Sequence, residues 1–211
     1  MQEKVIRLTG SELTISQIKE IAFENAKVEV DAEAMDKVRK ARELIFELDK
    51  RGVAVYGLNT GVGWNKDKVV YADRYDAYNK NLLRSHMIGV GPECSIPETR
   101  TIMAVRLNGF LCGHTGVAPE IVQYYVEFLN RGVHPVMKSR GSVGEADIAT
   151  LPAIGLTAIG EGEAYYQNQR MESAKALELA GLEPLKLGPK DGLGIVSSNA
   201  QGAAFAAMGV I

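Results

Sequence analysis

The chain has 211 residues, of which 46% are hydrophobic and 24% charged, and its formal net charge is −2 at pH 7. This composition is typical of a folded globular protein, and it excludes a disordered chain and a basic surface for nucleic acid or an anionic membrane. No apolar run approaches the roughly 20 residues that cross a bilayer, and the first residues lack the layout of a signal peptide, so we expect a cytoplasmic protein. Cys94 and Cys112 cannot form a disulfide framework, and neither they nor the histidines show metal-site spacing, so we predict no metal.

Apolar residues recur at the spacing of a helix through most of the chain. In chain order, this periodicity predicts helices over 11–25, 32–51, 71–90, 97–112, 119–131, 147–159 and 172–180. Local signals support several of these bounds: Asp31 and Asp147 are suitable N-caps, Pro97 and Pro119 suit a first helical turn, and Gly52 suits a C-terminus. The sequence therefore predicts a mainly α fold with little β-structure.

Other segments are predicted to be irregular. Residues 53–63 read as a short β-rich run that passes into a Gly-rich loop, a second Gly-rich loop lies at 141–144, and 160–190 is loop-rich around one short helix. No linker or repeat divides the chain, so we expect residues 1–211 to form a single unit. The last segment, 199–211, carries apolar residues all round a predicted helix and no stop signal, which indicates a fragment of a longer protein or one half of a split protein.

The first Gly-rich loop contains the first candidate for chemistry. Tyr56 opens this loop, whose glycines let backbone approach a ligand closely, and a tyrosine can serve as an acid or a base. Taken alone, such a tyrosine is more often a buried side chain with a satisfied hydroxyl. The run Gly-Leu-Asn-Thr-Gly-Val-Gly at 57–63 is neither a phosphate-binding loop nor a dinucleotide motif.

Two further candidates are His86 and Glu145. His86 directly follows Ser85, but a single histidine is more often structural than catalytic. Glu145 lies in the second Gly-rich loop, where a carboxylate could pair with a substrate cation or work as a base if the loop is buried. A solvated loop carboxylate is the simpler interpretation of Glu145 on spacing alone.

These segments occur in the order seen in the histidine and aromatic amino-acid ammonia-lyases, and the chain resembles the N-terminal half of that family. Besides the loop at 56–63, the motifs are Ser-His at 85–86, Val-Arg-Leu-Asn at 105–108, His-Pro-Val at 134–136, Gly-Ser-Val-Gly at 141–144, Asp-Ile-Ala at 147–149, Ile-Gly-Glu-Gly at 159–162 and Lys-Asp-Gly-Leu at 190–193. Each motif is weak alone, but their collinear order covers nearly the whole chain. The resemblance implies a helical homotetramer whose active sites draw on several subunits.

The resemblance also implies roles for individual residues. Tyr56 matches the family's base, which takes a proton from the β-carbon of the substrate, and His86 matches a histidine near the substrate's ring. Gly61 and Gly63 match glycines that shape the tyrosine loop, and with them we place Asn59 on the substrate-binding side.

The chain departs from the family at the electrophile. Family members follow Gly-Ser-Val-Gly with Ala-Ser-Gly, which cyclises and dehydrates into a methylideneimidazolone (MIO) group. Here Glu145 and Ala146 stand in place of that tripeptide, and neither carries the hydroxyl that must be eliminated, so we expect no MIO group and no other cofactor. The family's Asn-Gly-Thr beside the electrophile is replaced by Ser-Ser-Asn at 197–199, where we expect Ser197 and Asn199 to contact substrate.

The expected loss of the electrophile restricts the class of substrates that the resemblance implies. The electrophile helps an amine to leave, and a quaternary trimethylammonium does not need that help. In this respect the chain is similar to the ergothionases of this family, which eliminate trimethylamine from ergothioneine. We expect Tyr56 to act as base and Glu145 as electrostatic partner of the leaving cation, with no nucleic-acid or membrane partner.

Two alternatives stay open at this point. One is a conventional histidine or aromatic amino-acid ammonia-lyase with another electrophile. The other is a non-catalytic fragment or partner subunit, in complex with further copies of itself or with a chain that supplies the C-terminal half.

Overall fold

The computed structural model describes residues 4–211, and most of its regular backbone is α-helical. Within that range the helices are α1 (Ile15–Phe23), α2 (Ala32–Lys50), α3 (Tyr75–His86), α4 (Ile96–Phe110), α5 (Pro119–Arg131), α6 (Pro152–Ala158), α7 (Ser173–Ala180), α8 (Asp191–Val196) and α9 (Ala200–Met208). The strands are short: β1 (Val5–Leu8), β2 (Lys27–Val30), β3 (Val90–Glu93), β4 (Val133–Pro135), β5 (Lys138–Arg140), β6 (Glu163–Tyr166) and β7 (Gln169–Glu172). The prediction of a mainly α fold with little β-structure is confirmed.

Local sequence sets several helix ends close to their predicted positions. The Asp31 carboxylate accepts hydrogen bonds from the first-turn amides of α2. At α4, Ser95 and Glu98 form a reciprocal capping box that satisfies amides of the first turn. Gly132 ends α5 in the left-handed region, with φ 75°, which favours glycine. Capping depends on neighbours in sequence, and for this reason these bounds could be predicted.

The β-structure differs from the prediction in four places, one of which is the antiparallel pair β3–β5. Residues 53–63 contain no strand, and their one ladder contact is an isolated bridge from Thr60 to Val69. The region 160–190 holds a hairpin, β6–β7, to which β4 adds a third antiparallel strand. Its turn residues Gln167 and Asn168 both have positive φ, as a type I′ turn requires, although the pair lacks the usual glycine. β1 and β2 form a parallel pair of four residues each, too short to show a period.

The helix predicted over 147–159 begins later, at Pro152, and Asp147 is not its N-cap. The Asp147 carboxylate instead accepts hydrogen bonds from the amides of Gln201 and Gly202, at 2.7 and 3.1 Å, in the first turn of α9. An aspartate therefore does cap a helix here, but one that lies more than fifty residues further along the chain. The correction arises because a carboxylate at a suitable capping position satisfies whichever helix start the tertiary fold brings to it.

The last helix, α9, is apolar all round as predicted, but the structure buries only one side of it. Its buried residues are Ala200, Gln201 and Ala204, and the helix ends at Met208. Although α9 is apolar it is short, and no helix within residues 4–211 combines the length and the apolarity that crossing a membrane requires.

The core forms around α4, which packs against α1, α5 and α9. Arg100 lies inside this core at 1% exposure and donates hydrogen bonds to the carbonyls of Ile21 at 2.7 Å and Leu129 at 2.9 Å. These two carbonyls lie near the C-terminal ends of α1 and α5, where helix carbonyls lack partners of their own. A buried guanidinium thus joins three helices, and α3, α6 and α8 pack together on the side that carries the cavity described next.

Candidate active site

A cavity of about 650 Å³ opens where four segments meet. They are the Tyr56 loop (residues 53–63) with the turn that follows it, helix α3, the glycine loop (residues 141–147), and helix α8 with its C-terminal end. Of the predicted site residues, the cavity wall includes Tyr56, Gly63, His86, Glu145 and Ser197. Residues far apart in sequence and predicted separately are therefore brought to one place.

Tyr56 lines this cavity and is 49% exposed. Its oxygen accepts a hydrogen bond from the backbone amide of Gly63 at 2.7 Å. A backbone N–H aimed at this oxygen stabilises negative charge on it, which is the charge that tyrosine carries when it acts as a base. The Tyr56 carbonyl in turn accepts a hydrogen bond from Nζ of Lys190 at 3.0 Å.

Asn59 does not line the cavity. Its side chain forms hydrogen bonds that hold the Tyr56 loop in its conformation. Its Oδ1 accepts a hydrogen bond from the Val55 amide at 2.8 Å, and its Nδ2 donates to the Val53 carbonyl and to Asp49, each at 2.9 Å. These contacts close the loop and tie it to the C-terminal end of α2. The structure therefore gives this predicted substrate-binding residue a supporting position behind the loop.

Two glycines allow close approaches in the Tyr56 loop. Gly57 has φ +72°, and a Cβ atom there would lie 2.3 Å from the Leu193 side chain on α8. Gly61 also lies outside the cavity wall, and a Cβ atom on it would lie 2.3 Å from the Asn65 carbonyl oxygen. Side chains at these positions would push the loop away from its supports, so the glycines set where Tyr56 sits.

Helix α3 contributes His86 from its last turn. The ring Nδ1 lies 2.8 Å from the Leu82 carbonyl, one turn earlier, and 3.1 Å from the Ser85 hydroxyl. Because a carbonyl oxygen only accepts, Nδ1 carries a proton, and Nε2 of the neutral ring is then an acceptor. An imidazole held in one tautomer can orient a polar ring or an amine of a ligand in the cavity.

The glycine loop brings Glu145 to the cavity wall. Glu145 is exposed in the cavity, and the turn that contains it is closed by a hydrogen bond from the Val143 amide to the Ala146 carbonyl at 2.8 Å. Ala146 and Asp147 are buried behind it, and the Asp147 amide donates to the Ser198 carbonyl at 2.7 Å. The glycine loop and the 197–199 segment, where the sequence is expected to depart from the family that it resembles, are thus direct neighbours.

Ser197 and Asn199 occupy different positions in that segment. Ser197 is exposed and lines the cavity directly after α8. Asn199 is exposed outside the cavity wall and precedes α9, with no side-chain capping bond to that helix. The structure thus brings the first of these predicted substrate contacts to the site and leaves the second beside it.

The residues of the glycine loop do not fit an MIO group. That group needs a hydroxyl-bearing residue in the middle of the cyclising tripeptide, and positions 143–147 contain none. Ser142, upstream, uses its hydroxyl to accept a hydrogen bond from the Gly144 amide at 3.2 Å, within a turn that already closes on Ala146. A metal site is not formed here either, since residues 4–211 contain no group of three histidine, cysteine or carboxylate side chains that could hold an ion.

The sequence does not single out two further residues that the structure places at or beside the cavity. Lys190 has a left-handed backbone, φ 68°, and a half-buried ammonium whose pKa burial lowers, and it supports the Tyr56 carbonyl. Tyr78 lines the cavity from α3, two turns before His86. The spacing of Tyr78, Leu82 and Ser85 on one face of the helix that carries His86 is the signal that could have identified Tyr78.

Comparison with known proteins assigns the chain to a family. A model of the aromatic amino acid lyases matches residues 13–211. The chain is 38% identical to histidine ammonia-lyase of Natranaerobius thermophilus, over 92% of the chain and 38% of that protein. It is also 38% identical to histidine ammonia-lyase of Treponema denticola, over 93% of the chain and 39% of that protein.

Solved structures give the same assignment. The crystal structure of ergothionase, an ergothioneine-degrading enzyme from Treponema denticola, superimposes with a TM-score of 0.95 and 47% identity, covering 97% of this chain and 41% of that one. Histidine ammonia-lyase from Trypanosoma cruzi superimposes with a TM-score of 0.89 and 29% identity, covering 98% and 40% of the two chains. The chain thus spans about two fifths of the length of these relatives. It belongs to the aromatic amino acid lyase family.

Proposed function

We propose that the protein containing this chain is a carbon–nitrogen lyase that eliminates trimethylamine from a histidine-type betaine without an MIO group. One observation carries the proposal: a single cavity joins Tyr56, His86 and Glu145, while the loop that holds Glu145 has no hydroxyl from which the electrophile could form. In this proposal the site keeps Tyr56, which matches the family's base, while the residues beside the leaving group differ from those of the family.

The reaction follows from the positions of these residues. The oxygen of Tyr56, in its deprotonated form, takes a proton from the substrate's β-carbon, and the C–H electron pair becomes the new carbon–carbon double bond. The α-carbon–nitrogen bond breaks with its electrons on nitrogen. A quaternary ammonium then leaves as a neutral tertiary amine and needs no proton, so neither an acid nor an electrophile is required at the nitrogen.

The cavity offers suitable surroundings for a quaternary cation. The Glu145 carboxylate supplies the opposite charge, and the aromatic rings of Trp64 and Tyr78 line the same cavity. A quaternary ammonium has no N–H to donate, so carboxylates and aromatic faces are the groups that recognise it. His86 lies on the α3 wall, where its ring can contact the imidazole-derived part of the substrate.

The comparisons support the class of reaction and leave the substrate as our proposal. The 47% identity to an ergothionase favours a betaine, and the 38% identity to histidine ammonia-lyases favours an imidazole ring. As in the ammonia-lyases that the sequence resembles, we propose a homo-oligomer in the cytoplasm whose complete sites include residues beyond this chain. A small-molecule amino acid derivative is the ligand.

The deciding experiment incubates the full-length protein separately with ergothioneine and with histidine and measures trimethylamine and ammonia. We expect trimethylamine from the betaine and no ammonia from histidine. Ammonia from histidine without trimethylamine from ergothioneine would overturn the proposal and favour a conventional histidine ammonia-lyase, the alternative suggested by the histidine ammonia-lyase relatives. In that case, intact mass should reveal loss of water within residues 141–147.

Replacing Glu145 by glutamine tests the electrostatic part of the proposal. The amide keeps the size of the side chain and removes the charge that faces the substrate cation, so we expect KM for the betaine to rise roughly tenfold, with a smaller change in kcat. The matched control is Glu183→Gln, which removes another exposed loop carboxylate, one outside the cavity.

Steady-state kinetics with both variants check this prediction. Glu183→Gln is expected to match the wild type. If Glu145→Gln also keeps the wild-type KM, the carboxylate does not contact the leaving cation. If kcat collapses by several hundredfold while KM is unchanged, Glu145 is the base, and the assignment of Tyr56 is wrong.

A further inference from the structure

Tyr78 carries a hydroxyl to which the proposed function gives no role, since only its aromatic ring is used there. It lies on α3 and shares one helix face with Leu82, Ser85 and His86, all of which line the cavity. The residue is half-buried, and its hydroxyl oxygen is fully shielded from solvent without a hydrogen bond of good geometry within residues 4–211. A shielded hydroxyl without a hydrogen bond costs folding free energy. That cost is removed when a ligand, or a neighbouring group that becomes charged, forms a hydrogen bond with it.

The surroundings of this hydroxyl point to Tyr56. Burial raises the pKa of Tyr78, and the nearby phenol of Tyr56 raises it further, while the Val62 backbone lowers it. A raised pKa keeps the Tyr78 hydroxyl protonated and therefore able to donate a hydrogen bond. The two phenols lie beside adjacent residues of the Tyr56 loop. The Gly63 amide donates a hydrogen bond to the Tyr56 oxygen, and the Val62 backbone lowers the pKa of Tyr78.

We propose that Tyr78 is a positioning residue for the base: its hydroxyl donates a hydrogen bond to the Tyr56 oxygen once that oxygen has lost its proton. The inference rests on the proposed function in one respect, the use of Tyr56 as base. The Tyr56 anion then has two donors, the Gly63 amide and the Tyr78 hydroxyl, and is held in one orientation toward the β-carbon.

Other ionisable groups also face Tyr56 from the elements packed around it. They are His86 on α3, Glu145 on the glycine loop, and Lys190 before α8, which contacts the Tyr56 carbonyl. None of these groups is a hydroxyl, and replacing Tyr78 by phenylalanine removes only the Tyr78 hydroxyl. The other ionisable groups around Tyr56 therefore stay as they are. The effect of that replacement can be separated from theirs.

The test compares Tyr78→Phe with the wild type in the full-length protein. We expect kcat/KM to fall roughly tenfold, with KM nearly unchanged, because the lost hydrogen bond stabilises the charged form of the base. The acidic limb of the pH profile of kcat/KM, which reports deprotonation of the base, should move upward by roughly one to two pH units. The sign follows because removing a donor to the anion makes the anion harder to form.

Tyr125→Phe is the matched control. Tyr125 lies in the core on α5, outside the cavity, and its hydroxyl is also buried without a hydrogen-bond partner within residues 4–211. Its removal should leave the pH profile unchanged. A Tyr78→Phe profile that superimposes on the wild type, or a rise in KM alone, would overturn the proposal; the latter result would place the hydroxyl on the substrate.

A second measurement separates this inference from the proposed function. Absorbance titration of the tyrosinates without substrate, with Tyr56→Phe as the reference, isolates the ionisation of Tyr56. We expect Tyr78→Phe to move that ionisation to higher pH. If it moves and no substrate is turned over, the proposed function fails and the inference stands; if it stays in place in an active enzyme, the inference fails and the proposed function stands.

Discussion

Tyr56→Phe in the full-length protein is expected to lower kcat by a factor of about 10² to 10⁴, which is the usual contribution of a positioned acid or base. Phenylalanine keeps the ring and removes only the oxygen that accepts the Gly63 amide at 2.7 Å. Because the ring still lines the cavity, KM should change little. Single-turnover kinetics with the betaine would measure the loss directly, since they exclude product release.

The control for this substitution is Tyr71→Phe. Tyr71 follows the Tyr56 loop in sequence, is 69% exposed and lies outside the cavity wall. It should keep wild-type kinetics, and both variants should melt within a few degrees of the wild type. If Tyr56→Phe retains more than a tenth of the activity, another group removes the β-proton, and Glu145, which lines the same cavity, is the next candidate.

The parts of the fold that follow from neighbours in sequence could be predicted. Helix ends at Asp31 and Gly132 follow from a capping carboxylate and a left-handed glycine, and the structure places both as expected. The β6–β7 hairpin could not be found this way, because Gln167-Asn168 carries none of the glycine that usually marks its turn. Asp147 shows the same limit for capping, since its helix is supplied by tertiary structure.

The identity of the site residues could be predicted from the sequence, but their positions relative to one another could not. Resemblance to the family selected Tyr56 and His86, and the gap in the family's motif selected Glu145. What brings them together is a set of contacts across the chain, such as Lys190 to the Tyr56 carbonyl and Leu193 against Gly57. These contacts leave no periodic signal, so the sequence shows Lys190 only as the first residue of the motif at 190–193.

Asn59 illustrates how a residue type can suggest the wrong neighbour. An amide in a Gly-rich loop beside a candidate base suits a substrate contact. In the structure both ends of that amide are used inside the loop and on Asp49. The Asp49 carboxylate also accepts a hydrogen bond from Tyr75 at 3.3 Å, so the loop is tied to α2 and α3 together. Only the three-dimensional arrangement distinguishes an amide that stabilises its own loop from one that contacts a ligand.

The largest loss of stability is expected for Asp191→Ala, at the start of α8. The Asp191 side chain is 1% exposed and lies 3.3 Å from the Arg42 guanidinium, which is 10% exposed. Its two oxygens also accept hydrogen bonds from the amides of Ala118 at 2.9 Å and Gly188 at 2.7 Å. Burial raises the pKa of Asp191, and Arg42 together with the two amides lowers it. The partners thus counter the cost of burying the charge.

Removal of this carboxylate leaves the buried Arg42 cation without its counter-ion and two half-buried amides without their acceptor. Breaking a buried pair in this way costs about 3–5 kcal/mol, and denaturant unfolding of the full-length protein would measure it. The control, Asp73→Ala, removes one side of an exposed pair with Arg74, whose side chains are 74% and 76% exposed, and should change stability by less than about 1 kcal/mol. Equal stability of Asp191→Ala and the wild type would contradict this account of α8.

The consequence for the site distinguishes this variant from an ordinary core substitution. Lys190 and Leu193 flank Asp191 and hold the Tyr56 loop, so loosening α8 also releases the base from its support. We therefore expect Asp191→Ala to lose activity at temperatures below its unfolding transition. Adding Arg42→Met should recover part of the stability, because the unpaired charge is then gone, but the activity should stay low while the two amides lack an acceptor and α8 stays loose.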